Sequence, residues 1–176
     1  MFNAIYLGFL IVLSYFFAKV EVQIEGTEGW AKNLPTWRIE KHWLLDIFFG
    51  GRPMTGYHAW VLSFVILFFH IPFFFFHNWS WGQEARVIGG FMIFWLAEDF
   101  LWFVINPGYG IKKFKKQYIP WHPRWFLVAP IEYWIFLPIG CALIFCLWVH
   151  RSSKNNVQFL LAAALPRYKL KLSQII

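Results

Sequence analysis

Glu98 and Asp99 stand side by side within an otherwise apolar and aromatic run, 87–106, that ends at Pro107. The run is about long enough to cross a bilayer. Ionisable groups at such depth are costly, face a protein interior or a wet cavity, and often mark a site. On a helix wheel Asp99 shares a stripe with Met92, Trp95, Trp102 and Asn106, and so points inward beside two indoles. Glu98 falls on the adjoining line with Phe91, Phe94, Leu101 and Ile105, which leaves its facing open.

Three chemistries use such a pair. Carboxylates and imidazoles bind zinc or iron, both of which accept these ligand types. The expected metal ligands are Glu98, Asp99, His58 and His122, drawn from separate segments because no H-E-x-x-H or E-x-x-H spacing occurs. A carboxyl with a perturbed pKa can instead act as general acid or base. The same four residues are the expected catalytic set. The third use is electrostatic, with Arg38 or Arg52 as partner if the loop carrying them folds back over the opening. Against these stands the plainer reading that a buried Asp hydrogen-bonds its neighbours and holds helices in register.

The elements that position these groups follow from composition. Of 176 residues 59% are hydrophobic, 23% aromatic and only 14% charged, where a soluble domain carries about a quarter. The bilayer is therefore the expected solvent. The reading is an all-α integral membrane protein with one four-helix domain over 1–150. Its spans lie at about 2–20, 57–77, 87–106 and 131–149. Residues 2–20 lack a basic leader and a small-residue cleavage site, which favours a retained span over a signal peptide.

The first connection is too long for a turn. Thr36 can cap a helix carrying Ile39, Trp43, Leu44, Ile47 and Phe48 on one side, with Gly50-Gly51 as its stop. This element is expected to lie in the headgroup region. Glu25 to Trp30 reads as loop, and His42 with Asp46 as a solvated pair. After Arg151 comes a basic amphipathic tail, 151–176, with a short surface helix over 157–165.

Helix ends bring candidates together. Asp99 lies about 12 Å inside the boundary at Pro107, at 1.5 Å per residue. His58 opens the second span at that same rim, Glu132 the fourth, and His122 precedes it in the loop. Trp95 and Trp102 can line an apolar substrate cleft. Lys112, Lys113, Lys115 and Lys116 can hold an anionic headgroup, of lipid or substrate. Basic residues concentrate on the side of the first and third connections, which makes that side cytoplasmic and puts both termini outside.

The leading expectation is a membrane enzyme acting on an apolar or lipid-like molecule, with a transition metal, zinc or iron, as the cofactor this chemistry would use. The rivals are an accessory subunit of a larger membrane complex and a transporter or proton relay, the last needing a homo-oligomer for room. The formal charge of +7 sits in loops and tail without an aromatic-interleaved groove, so nucleic acid is set aside.

Overall fold

The computed structural model describes residues 2–77 and 79–145. The chain is mostly helical, with little sheet. Three helices are long and apolar enough to cross a membrane: α1 (Phe2–Glu25), α3 (Gly56–Phe76) and α4 (Trp81–Ile105). A short helix, α2 (Trp43–Phe48), lies in the first connection. The apolar helix α5 (Ile131–Phe145) is shorter. The remainder of the expected fourth span, the surface helix at 157–165 and the basic tail lie outside the described residues.

Helix limits have local causes. Thr55, in extended conformation, caps α3 by accepting from the His58 amide at 3.2 Å. Ser80 caps α4 through the Gln83 amide, and Glu84 in the first turn suits the positive end of the helix dipole. Pro107 stops α4. Asn106 then turns the freed end to use: its Nδ2 donates to Gly26 O at 2.9 Å, and its Oδ1 accepts from Gly108 N at 2.8 Å. The C-terminal ends of α1 and α4 are thereby tied together.

The helix α1 continues through Glu25 rather than stopping at Val20. This lifts Glu21 and Glu25 out of the connection and onto a helix face. Leu10, Ser14, Ala18, Glu21 and Glu25 are all buried along it, at the three- and four-residue steps of one helical stripe. That stripe packs on α4 along most of its length, and the Ser14 hydroxyl donates to Phe94 O at 2.9 Å. Similarly, α4 begins at Trp81, ahead of the expected Val87.

The first connection departs from expectation. Thr36 caps no helix there; its hydroxyl accepts from Tyr57 N at 2.9 Å. Arg38–Ile39 (β1) pairs antiparallel with Met54–Thr55 (β2), Arg38 opposite Thr55. Extended pairing holds Ile39 out of a helix, so α2 forms only from Trp43 and takes His42 as its cap. Gly50 and Gly51 end it with positive φ values of 60° and 84°, conformations glycine adopts freely. A second ladder, Trp125–Phe126 (β3) with Ala129–Pro130 (β4), leads into α5. His42 and Asp46 form no solvated pair, since Asp46 meets Arg124 at 3.0 Å.

Two apolar clusters hold the helices. Leu10, Val65, Ile93, Phe94 and Ile144 fill the middle, while Ala18, Val22, Trp102, Phe103, Ile119 and Trp121 pack near the loops. Close approach of α4 and α5 needs glycine: a Cβ on Gly89 would stand 2.8 Å from Gly140 O and 2.9 Å from Leu143 Cβ. Small residues allow such backbone contact in apolar surroundings. Gly89→Leu should lower stability by about 1–3 kcal/mol, the usual range for overpacking. Gly8→Ala, with open space around it, should leave stability unchanged or slightly higher. Thermal unfolding in detergent, followed for both variants, checks the contrast.

Candidate functional site

Where the C-terminal ends of α1 and α4 meet the N-terminal ends of α3 and α5, two polar clusters lie back to back. The inner one holds Glu21 and Glu25 from α1, His58 from α3 and Glu98 from α4, none more than 5% exposed. His58 Nε2 is 3.2 Å from Glu25 Oε1 and 4.0 Å from Glu21 Oε1, and its Nδ1 lies 2.6 Å from Thr55 Oγ1. Glu25 Oε1 also accepts from Ala31 N at 2.5 Å. The Glu21 and Glu98 carboxyl groups are close neighbours, with the Tyr57 hydroxyl beside Glu21. One oxygen of each of Glu21 and Glu98 is buried without a protein donor, as is the Trp102 indole N–H without an acceptor. A cavity of about 20 Å³ opens among these groups.

The outer cluster is built around Arg52. Its Nη1 meets Asp99 Oδ1 at 3.3 Å, and its Nη2 lies 2.7 and 2.6 Å from the two ring nitrogens of His122. His122 stands between two acids, 3.3 Å from Asp99 and 3.4 Å from Glu132. The Tyr133 hydroxyl donates to Asp99 Oδ2 at 2.5 Å. Glu132 is 3.9 Å from Arg52 and presses on Gly50, where a Cβ would fall 2.6 Å from its carboxyl carbon. Gly50 is thus required twice, for its φ and for the approach. Trp30 joins the clusters, stacked on His58 with ring centroids 3.8 Å apart and covered by the Arg52 guanidinium at 4.6 Å. Trp30 and Ala31 both have positive φ, 49° and 51°, a backbone cost typical of functional loops.

An apolar cleft of about 440 Å³ runs from the outer cluster between α3, α4 and α5. Leu62, Ser63 and Ile66 form one wall, Ile88, Phe91, Met92, Trp95 and Leu96 another, and Phe136 a third. Its polar end is Arg52, Asp99, Glu132 and Tyr133. Volume and lining match a small-molecule site, apolar with a few polar groups converging.

The four residues expected to act together divide. Glu98 and His58 belong to the inner cluster, Asp99 and His122 to the outer. Glu98 turns toward α1 and is more buried than Asp99, whose side chain is 14% exposed. Trp95 lines both cavities and Trp102 only the small one. Lys112, Lys113, Lys115 and Lys116 are exposed on two 3-10 turns, Ile111–Lys113 and Lys116–Tyr118, and line no part of the cleft. Arg38 binds the carbonyls of Trp30 and Ala31 instead of an acid, and His70 pairs with Glu84 at the other end. Sequence reasoning missed Glu21 and Tyr133. Glu21 was visible in the Ser14–Ala18–Glu21–Glu25 spacing; Tyr133 left no pattern. In the loops, burial raises the Tyr109 hydroxyl above its ordinary pKa, with the Glu28 and Glu25 carboxylates adding to the effect. It stays a donor, to Glu28 O at 3.1 Å.

Comparison of the chain with protein-family models, with curated proteins and with solved structures gives no match.

Arg52→Met strands the outer acids without their cation, and removing one partner of a buried ion pair costs about 3–5 kcal/mol. Breaking the exposed Arg124–Asp46 pair with Asp46→Ala should cost under ~1 kcal/mol. Unfolding midpoints of the two variants in detergent should differ in that order.

Proposed function

We propose that the chain is a small multi-pass membrane enzyme acting on an apolar or lipid-like molecule. The apolar body lies in the cleft between α3, α4 and α5, and the reacting group meets Arg52, Asp99 and Tyr133. One observation carries this reading: the large apolar cleft ends on a compact set of buried ionisable side chains. A structural ion cluster alone has no need of an open apolar approach.

Asp99 lies within hydrogen-bond reach of both Arg52 and Tyr133. Tyr133 donates to Asp99 along a 2.5 Å contact, an arrangement suited to moving a proton to or from a bound molecule. The Arg52 fork presents fixed positive charge at the head of the cleft, suited to a carbonyl or phosphate oxygen. His122 positions Arg52 and Asp99 from behind. The exposed apolar side chains Trp43, Ile47 and Phe48 of α2 lie in the headgroup layer on this reading. The four loop lysines touch anionic lipid, and the loop side is cytoplasmic.

A photoactivatable fatty-acid probe tests the cleft. It should label the 88–96 stretch of α4, and Ile66→Trp, which fills the cleft, should cut that labelling at least ~10-fold. Untargeted lipid analysis after incubation with a membrane lipid extract should reveal a consumed species. Tyr133→Phe should slow its turnover by ~100-fold or more, the usual worth of a positioned acid–base group. Labelling spread evenly over the outer faces of α1 and α3 would overturn the reading.

A further inference from the structure

We propose that the inner cluster is a binding site for one divalent first-row transition-metal ion, held by Glu21, Glu25, His58 and Glu98. It adjoins the cleft, sharing Arg52, Trp95 and Asp99 with its lining, but does not rest on the substrate reading.

Charge balance is the first argument. Among the described residues, five carboxylates, Glu21, Glu25, Glu98, Asp99 and Glu132, are buried or nearly so with a single guanidinium, Arg52. With both imidazoles protonated the acids would still exceed the cations by two. Buried charge without a partner is costly. Arg52 pairs with Asp99 and faces Glu132, whose oxygens still lack a donor, while the three inner acids have only His58, so the larger deficit of positive charge falls on the inner cluster.

The second argument is chemical and local. Glu21 and Glu98 face each other with a buried oxygen apiece that no protein donor reaches. If both are ionised, the two carboxylates have only acceptors to offer each other, and a cation between them would satisfy both. The small cavity lined by Glu21, Glu25, His58 and Glu98, with Arg52 and Asp99 also on its wall, has space for a single small ion or water molecule. Ligand atoms of Glu21, Glu25 and His58 lie within 4.8 Å of one another, near the ~3–4 Å separations that metal bonds of about 2.1 Å impose.

The donor set narrows the ion. Carboxylates with one imidazole suit iron(II), manganese(II) or zinc, and disfavour copper(I), which prefers sulfur. Thr55 supplies the usual outer support: its hydroxyl can accept from His58 Nδ1–H, leaving the Nε2 lone pair for the metal. Asp99 and His122, expected from the sequence as ligands, pair with Arg52 instead. A guanidinium at 3.3 Å from Asp99 and 2.6–2.7 Å from His122 already supplies their positive charge.

The test uses the full chain in detergent, stripped with chelator and titrated anaerobically with iron(II), manganese(II), zinc and magnesium in separate runs. Bound metal is counted by mass spectrometry, and affinity is read by competition with a chromophoric chelator. One transition-metal ion per chain is expected, with magnesium at least ~100-fold weaker. Glu21→Gln and His58→Ala should each weaken binding more than ~100-fold. Thr55→Val removes no ligand and should weaken it ~10–100-fold. X-ray absorption on the wild-type chain, which needs no variant to fold, should show oxygen ligands with one imidazole. Tyr133→Phe should keep the metal while losing turnover, which separates failure here from failure of the cleft reading. Absence of stoichiometric metal, an absorption spectrum without imidazole, or affinity indifferent to Glu21→Gln and His58→Ala would each overturn the proposal.

Discussion

Arg52 is the constraint on which the rest of the buried end depends. One guanidinium touches Asp99 and His122, faces Glu132, and lies over the Trp30 ring. Arginine suits the position because its planar, always-charged fork serves several acceptors and also stacks on an aromatic face. The surrounding chain is arranged to bring it there. Gly50 and Gly51 reverse the backbone after α2, and the β1–β2 ladder anchors the strand beyond Pro53. Thr55 then starts α3 within three residues of Arg52. The loop, the cap and the cation of the ion cluster lie in one short stretch of sequence.

The helices contribute reach more than rigidity. α1 and α4 carry the firm contact, with a serine hydroxyl bonded across the interface and Asn106 binding their ends. Glu98 and Asp99, as neighbours on α4, point to different partners because successive helical residues diverge by about 100°. Glu98 therefore joins α1 and α3, while Asp99 joins the loop and α5. Two adjacent residues in sequence thus serve two sites in space.

How far this was legible depends on where each signal arises. The acidic pair shows itself because charge in an oily run has few innocent explanations. Helical spacing also marks Ser14, Ala18, Glu21 and Glu25, but Lys19 and Glu21 look like the water edge of a span, so the stripe breaks off at Val20. Arg52 and His122 are brought together across 70 positions, and no local pattern records that. Tyr133 resembles any tyrosine at a membrane rim. The two-residue ladders are too short for alternation to register, and β1 displaced a helix that capping rules alone would start at Thr36.

The loose seating of α3 has a consequence for traffic. Few of its side chains are buried, and Phe64, Leu67, Phe68 and Phe74 remain exposed along it, so the wall it lends the cleft is held by sparse contact. On the proposed reading, a molecule dissolved in the surrounding hydrocarbon would arrive sideways without passing through water. Its effective concentration is then a mole fraction in two dimensions, diluted by added inert lipid and untouched by added buffer. Selection at such a doorway acts on cross-section, because a long tail can trail outside while only the leading group is enclosed.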